Sequence, residues 1–272
     1  MKQILTVAGK EFHDGLRNRW LISITLIFTL LSIGLTYFGS AASGATGIAS
    51  LSTTTASLAS LAVFLIPLIA LLLSYDSFVG EQESGTLLLL LTYPISKSQL
   101  LLGKFIGQGS IIALATLFGF GSPAVLLYLQ LGEISVISSF AVFIFSATLF
   151  GLSFTAIAYL ISLSVSERSK AAGVALVIWF LFALAFDLAI LALLVGIEQG
   201  ISQAQLTQLL LLNPADIFRL INLSSLNNSD INGALAITMA TNLSQTQLFI
   251  ALLTWIALPL SLAVLIFHRK KL

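Results

Sequence analysis

The sequence predicts an all-α protein that crosses a membrane several times. Apolar residues make up 58% of the 272 residues, charged residues make up only 8%, and the mean hydropathy is +1.05. A soluble domain carries roughly 25% charged residues, because water must solvate its surface. Lipid offers no hydrogen-bond partners, so backbone groups within it must pair inside the segment itself, as they do in a helix. The composition therefore predicts a polytopic helical bundle.

Six apolar segments are each long enough to cross about 30 Å of hydrocarbon as a helix. The predicted spans are Trp20–Phe38, Ala56–Ser74, Phe105–Leu129, Phe140–Val165, Ala171–Val195 and Leu248–Phe267. The segments between them are candidates for the parts of the protein that contact partners on either side of the membrane.

Residues 1–19, ahead of the first span, carry an amphipathic pattern. Leu5, Ala8, Phe12 and Leu16 recur at helical spacing, and most of the charged residues fall elsewhere on the helical wheel. This pattern is typical of a helix that lies in the membrane interface. The alternative is an ordinary basic tail.

The distribution of basic residues predicts that both termini are cytoplasmic. In that orientation all of the 12 lysines and arginines except Arg219 lie on the inner side. The outer segments instead carry Glu133, Glu198, Asp216 and Asp230. Lysine and arginine accumulate in cytoplasmic loops, so the opposite orientation is disfavoured.

The inner segment between the second and third spans, residues 76–96, is too long to be a simple turn. In order it contains three carboxylates, a leucine run, a proline and a capping-box pair: Asp76, Glu81 and Glu83; Leu87–Leu91; Pro94; Ser96 with Gln99. The proline ends one helix and the capping box begins the next. The segment is therefore predicted to be a short cytoplasmic helix that presents carboxylates and leucines to a partner.

Spaced residues of this inner segment resemble the signature E-x-E-x-G-T-L…P-(I/V)-S-(K/R)…G-K of ABC-2 type transporter permeases. The matching residues are Glu81, Glu83, Gly85, Thr86, Leu87, Pro94, Lys97, Gly103 and Lys104. The amphipathic start, the six spans and the long outer segment extend the resemblance over a single permease domain, residues 1–272. The resemblance implies that residues 76–96 form a coupling helix, which docks in a cleft of a cytoplasmic ATPase and makes a mechanical contact rather than an acid–base one.

The same resemblance implies a homodimer of this chain with two separate ABC ATPase subunits in the bacterial inner membrane. ATP and magnesium would bind those subunits, and this chain would bind no cofactor of its own. The residues agree, since the sequence contains no G-x-x-x-x-G-K-[ST] phosphate loop, no H-E-x-x-H and no nucleophile elbow. No catalytic residue is predicted. The net charge of +1 gives no reason to expect nucleic acid.

Four longer strings resemble one group of these permeases, the group that serves nitrous oxide reductase maturation. They are LRNRW (16–20), LLLLLTYP (87–94), LLLGKFIG (100–107) and LLLLNPADIFRLINL (209–223). This resemblance implies a periplasmic repeat protein as a partner and, through it, nitrous oxide reductase or a copper chaperone, with copper or sulfur as the material supplied. Copper(I) prefers cysteine and methionine, and the chain has no Cys and only Met1 and Met239. Copper is therefore expected to bind a partner, and no metal site is predicted here.

The outer segment, residues 196–247, is predicted to contain packed helices. Ser202–Leu212 is moderately amphipathic, Asn213 and Pro214 interrupt it, and Asp216 and Arg219 stand three residues apart, close enough to pair on the next helix. A solvated loop with a surface ion pair is the alternative, although it would leave several leucines exposed. The family resemblance implies an extracellular gate that also contacts the periplasmic partner. The Asn/Ser-rich stretch Ser224–Gly233 is predicted to be a flexible connection.

Asp187 is predicted to lie inside the fifth span. An intramembrane carboxylate is costly and marks a cavity, an ion path or a hydrogen-bonded partner on another helix. A proton site and a packing role both remain open. Two rivals to an ATP-driven permease follow, namely an ion-coupled secondary transporter that uses Asp187 and a structural membrane anchor for inner and outer partners.

Overall fold

The computed structural model describes residues 2–38, 50–196, 202–224 and 243–270, and these residues form helices and short connections without a β-strand. The helices are α1 (Lys2–Arg17), α2 (Arg19–Phe38), α3 (Leu51–Ser74), α4 (Val79–Glu83), α5 (Thr86–Thr92), α6 (Lys97–Leu131), α7 (Ile134–Ser164), α8 (Arg168–Phe180), α9 (Phe186–Gly196), α10 (Gln203–Leu210), α11 (Pro214–Ser224) and α12 (Gln245–Arg269). Residues 225–233, predicted to be a flexible connection, lie outside the described residues.

The all-α membrane fold is confirmed. Among the described residues, five helices are long and apolar enough to span a bilayer, and a sixth span results if α1 and α2, which are bent by 70° relative to each other, are counted together. Every predicted span lies inside one of these helices, except that Val165 caps α7 instead of continuing it. The helices are longer than the predicted spans because Ser50, Ser96 and Ser244 cap them outside the apolar run.

Helix α7 is the centre of the bundle. About two thirds of its most apolar window is buried, 67% against 11% for the helix that begins with α8. It packs against α3, α6, α11 and α12. The aromatic rings of Phe143, Phe150 and Phe154 fill this centre and are almost fully buried. Helix α7 therefore acts as the fixed element around which the others are arranged.

Helix α1 docks on the N-terminal end of α6 through two glycines. A Cβ at Gly103 would lie 2.6 Å from the Val7 Cβ, and a Cβ at Gly107 would lie 2.6 Å from the Ala8 carbonyl oxygen. Only glycine permits this approach. The predicted apolar stripe is therefore divided: Ala8 is buried against α6, whereas Leu5 and Leu16 stay exposed.

The long helix of α8 and α9 lies on the outside of the bundle. A π-helical turn, Leu181–Ala185, separates its two halves. In the inner half, the Trp179 indole donates to the Phe64 carbonyl oxygen at 2.9 Å, which ties α8 to α3. π-Helical turns mark positions where a helix ladder is rearranged, often at functional sites.

Candidate functional site

The inner segment, residues 76–96, contains two short helices instead of the single helix predicted. The Ser162 hydroxyl, on α7, accepts the backbone N–H groups of Phe78 and Val79 at 3.0 Å each. These are free donors at the start of α4, and their capping by a buried serine fixes α4 against the bundle centre.

Gly85 makes the corner between α4 and α5. Its φ is +73°, in the left-handed region where a side chain is strained. Thr86 follows as the first residue of α5, and its hydroxyl bonds the Ser84 hydroxyl at 2.9 Å and the Glu81 carbonyl oxygen at 3.3 Å. The Gly-Thr pair of the signature is thus explained by the turn between α4 and α5.

Helix α5 has one buried and one exposed apolar side. Leu87 is 1% exposed and packs among Phe78, Leu100 and Phe267. On the other side, Leu88, Leu89 and Tyr93 are 55–65% exposed. We call Glu83, Leu88, Leu89 and Tyr93, all exposed at this inner end, the coupling surface.

Lys104 is at the centre of a buried charge cluster. Its ammonium donates to Glu11 Oε1 at 2.9 Å and to Glu81 Oε1 at 2.8 Å, and its side chain is only 3% exposed. Glu11 lies on α1, Glu81 on α4 and Lys104 on α6, so three elements meet in one ion-pair triad. A polar cavity of about 300 Å³ borders the triad. Glu81 Oε2 is buried and has no hydrogen-bond partner among the described residues.

Gln108, one turn further along α6, extends the triad to α3 and α7. Its amide oxygen accepts from the Ser74 hydroxyl at 2.7 Å and from the Tyr159 hydroxyl at 3.0 Å. Its amide nitrogen donates to the Ser77 hydroxyl at 2.8 Å and to Glu11 Oε2 at 3.4 Å. Buried polar groups that are this fully paired hold one geometry, since any shift leaves a group unpaired.

Arg168 connects the inner segment to the start of α8. Its guanidinium donates to Asp76 Oδ2 at 2.9 Å, and its backbone N–H donates to Glu83 Oε1 at 2.7 Å. The guanidinium also covers Gly80, where a Cβ would lie 2.7 Å from Nη2. The exposed ion pair is weak by itself, but the backbone bond places a carboxylate at the N-terminus of α8, where the helix dipole favours it.

The signature residues separate into two groups. Glu81, Leu87, Lys97 and Lys104 point into the protein: Lys97 donates to the carbonyl oxygens of Phe267 and Lys270 at 3.0 and 2.8 Å and so caps α12. Glu83, Gly85, Thr86 and Pro94 are exposed. The first group therefore joins the inner segment to the rest of the protein, and the second group is exposed on its surface.

Three residues of this site escape the signature: Glu11, Ser162 and Arg168. A signal exists for Glu11, which falls at helical spacing from Val7 and Gly15, both buried, so it is a carboxylate on the packed face of α1. Ser162 and Arg168 carry no comparable signal, because their partners are 75 or more residues away in sequence.

A second charge cluster lies in the outer segment. Arg219 pairs with Asp216 Oδ1 at 3.0 Å, as predicted, and also with Asp187 Oδ2 at 2.8 Å. The Asn213 amide donates to Asp216 Oδ2 at 3.0 Å and to the Phe182 carbonyl oxygen, in the π-helical turn, at 3.1 Å. The intramembrane Asp187 thus has a partner on another element, and α11 is bonded to the π-helical turn between α8 and α9.

The outer segment is packed, and the alternative of a solvated loop is wrong for its described part. The Asn213 side-chain oxygen accepts a hydrogen bond from the Ala215 N–H at 2.9 Å and so caps the start of α11, whose first residue is Pro214. Phe218 stacks on Phe150 with ring centroids 5.0 Å apart, and Asn222 bonds Ser146 on α7 at 3.0 Å. Helix α11 is therefore inserted into the bundle.

Burial raises the pKa of the Asp216 carboxyl to about 6. The Arg219 guanidinium opposes this increase, and the neighbouring Asp187 carboxylate adds to it. Asp216 is 5% exposed, so removal from water disfavours its charged form more than one shared guanidinium can offset.

The described residues contain no group of three or more His, Cys, Asp or Glu side chains that could hold a metal ion.

The chain matches the family described as "ABC-2 family transporter protein" over residues 5–272. This chain belongs to the ABC-2 family. The permease is also 50% identical, over 99% of its length and 99% of theirs, to the probable ABC transporter permease protein NosY of Pseudomonas aeruginosa and of Stutzerimonas stutzeri. It is a multi-pass membrane permease.

Proposed function

We propose that the coupling surface docks on a separate cytoplasmic ATPase, and that this permease converts ATP-driven motion of that subunit into movement of the outer segment. It sits in the bacterial inner membrane with both termini cytoplasmic, as a homodimer with two ATPase subunits. ATP and magnesium bind the ATPase, and this chain supplies no catalytic group.

The observation that carries this proposal is the two-sided construction of residues 76–96. The exposed side combines Leu88, Leu89 and Tyr93 with the Glu83 carboxylate, a mixture that suits a protein partner because hydrocarbon excludes the charge. On the other side, Glu81 accepts from Lys104 on α6, which also bonds Glu11 on α1, and Asp76 accepts from Arg168 on α8. A force applied to the exposed side therefore reaches three helices at once.

One of these helices leads to the outer segment. Arg168, at the start of α8, contacts the inner segment, and Asp187, beyond the π-helical turn, contacts Arg219. Since α8 and α9 are the least buried span, their displacement disrupts little of the core. Tilting of this helix about its π-helical turn would move α11 and open or close the outer gate.

The 50% identity to NosY and the four strings of the sequence support a finer proposal. The permease acts in nitrous oxide reductase maturation, with NosF-like ATPase subunits and a NosD-like periplasmic repeat protein. Copper or a sulfur species is supplied, and nitrous oxide reductase or a copper chaperone receives it through the periplasmic partner. An ion-coupled transporter that uses Asp187 has less support, because Arg219 already neutralises that carboxylate.

The docking proposal predicts that Leu88→Glu combined with Leu89→Glu lowers recovery of the ATPase with the permease at least tenfold. Two buried carboxylates at an interface lose solvation and gain no partner. Co-purification from membranes that contain both subunits measures this. The matched control is Lys170→Glu, which places a negative charge at an exposed inner-end residue outside the coupling surface and should leave recovery unchanged. An unchanged subunit ratio for the double variant, with normal permease yield, would refute the docking surface.

For copper, we expect the tag-free permease in its complex to contribute no tight site. Soft ligands are absent apart from Met1 and Met239. Titration of copper(I) against a competing chelator, with and without the periplasmic partner, should place all stoichiometric binding on that partner. Stoichiometric binding by the complex without the partner would contradict this assignment.

A further inference from the structure

A groove lined almost entirely by apolar side chains lies between α2 and α6, directly beyond the bend that separates α1 from α2. Its volume is about 480 Å³, within the roughly 300–1,000 Å³ of typical ligand sites. The lining residues that matter here are Leu16, Ile22, Leu26, Leu30 and Phe118. Four of them, on α1 and α2, are 45–60% exposed, so the groove opens to the membrane.

Polar groups in the groove are few and already used. Thr29 donates its hydroxyl to the Thr25 carbonyl oxygen of the same helix at 2.8 Å. A water-soluble ligand would therefore find no polar group to orient it. Since α2 and α6 are membrane-spanning, hydrocarbon is the medium that reaches this groove.

Two basic residues follow the Gly15–Leu16 end of the groove in the sequence, although they do not line it. Arg17 and Arg19 are both exposed, and neither has a carboxylate within 4.0 Å among the described residues. The acidic residues of α1 do not neutralise them: Asp14 pairs with Lys10 at 3.3 Å, and Glu11 pairs with Lys104. Two arginines therefore present unbalanced positive charge where the groove meets the membrane surface.

We propose that this groove binds one anionic phospholipid, with an acyl chain between α2 and α6 and the headgroup phosphate against Arg17 and Arg19. Guanidinium groups bind phosphate through paired N–H donors, and basic residues at a bilayer surface select anionic lipids. The lipid would sit where α1 joins the first span and would hold α1 against α6. Nothing in this site depends on the ATPase, so it stands apart from the coupling proposal.

The test uses the purified complex in nanodiscs or detergent and native mass spectrometry. With phosphatidylglycerol and phosphatidylcholine added in equal amounts, we expect phosphatidylglycerol to be retained preferentially by about tenfold or more, from two arginine contacts. Arg17→Gln with Arg19→Gln should abolish the preference. Leu26→Trp, at a largely exposed position in the groove, should reduce retention while both arginines remain. The control pair Lys170→Gln with Arg269→Gln removes two exposed inner-end cations elsewhere and should change neither quantity.

Four outcomes would overturn the proposal. The first is equal retention of the two lipids by the unaltered complex. The second is undiminished preference in the double arginine variant. The third is displacement of phosphatidylglycerol by inorganic phosphate alone, which would show a headgroup site without a chain site. The fourth is efficient disulfide formation between two copies carrying Leu26→Cys, which would show that a second copy covers the groove.

Discussion

Replacing Lys104 with methionine is expected to destabilise the permease by about 3–5 kcal/mol, the cost of removing one partner from a buried charge pair. Glu11 and Glu81 would then face each other across a site where their side chains are only 12% and 19% exposed. Their repulsion would separate α1 and α4 from α6. Under the docking proposal, the coupling surface would then lose its connection to the bundle. Thermal unfolding of the complex and stimulation of ATPase activity by the permease measure the two effects.

Two further variants separate the charge effect from a packing defect. Glu81→Gln in the Lys104→Met background removes one of the two carboxylates left unpaired and should recover part of the stability. Lys170→Met breaks an exposed pair with Glu167 and should change stability by less than about 1 kcal/mol. If Lys104→Met behaved like Lys170→Met, the triad would contribute nothing to the connection between α1, α4 and α6.

Replacing Arg219 with glutamine is expected to release α11 from α9. The guanidinium holds Asp187 and Asp216 together, so its loss leaves two carboxylates repelling each other, one of them nearly buried. We expect the free energy of unfolding to fall by about 3 kcal/mol at pH 8. Transport-coupled activity should fall with it, while ATPase recovery stays normal because the coupling surface is untouched.

The stability of the Arg219→Gln variant should also depend on pH, in a direction set by the Asp216 carboxyl. Its folded pKa of about 6 lies above the ordinary value near 3.9 for an unfolded aspartate. Between those values the folded state binds the extra proton, so stability from this group rises as the pH falls through the window and is lost as the pH rises. The Arg219 guanidinium opposes the increase in the Asp216 pKa. Its removal therefore extends this pH window to higher pH.

The measurement compares apparent melting temperatures of the complex at pH 5.5 and pH 8. The Arg219→Gln defect should be clearly smaller at pH 5.5, and Asp216→Asn in the same background should remove most of that difference. Equal defects at both pH values would mean that Asp216 does not carry the charge left unpaired.

The residues that sequence reasoning located well are those that act within a short stretch of chain. Ser96 and Gln99 form the predicted capping box, and Asp216 pairs with Arg219 three residues away. Both depend on helical spacing, which a sequence displays directly. Asp187 is recognisable as anomalous because its charge conflicts with an apolar span, but its partner stands 32 residues further on, on another helix.

The inner segment shows where such reasoning stops. A spaced signature identifies Glu81, Glu83 and Lys104 together, yet Glu81 and Lys104 face inward and Glu83 faces outward. Which way each points depends on the Gly85 corner and on Ser162, contributed by α7 from 83 and 84 residues away. Spacing along one helix cannot reveal a cap supplied by another.

By itself, the sequence determined the medium, the spans and the family, since hydropathy, basic-residue distribution and local spacing are properties of contiguous chain. Only the tertiary structure decided which charged residues form ion pairs inside the bundle and which are exposed on its surface. In a low-dielectric interior a charge is tolerated only beside its counter-charge, and those counter-charges come from distant helices. Glu11 for Lys104 and Asp187 for Arg219 are pairs that the folding of the bundle, and not their positions in the chain, brings together.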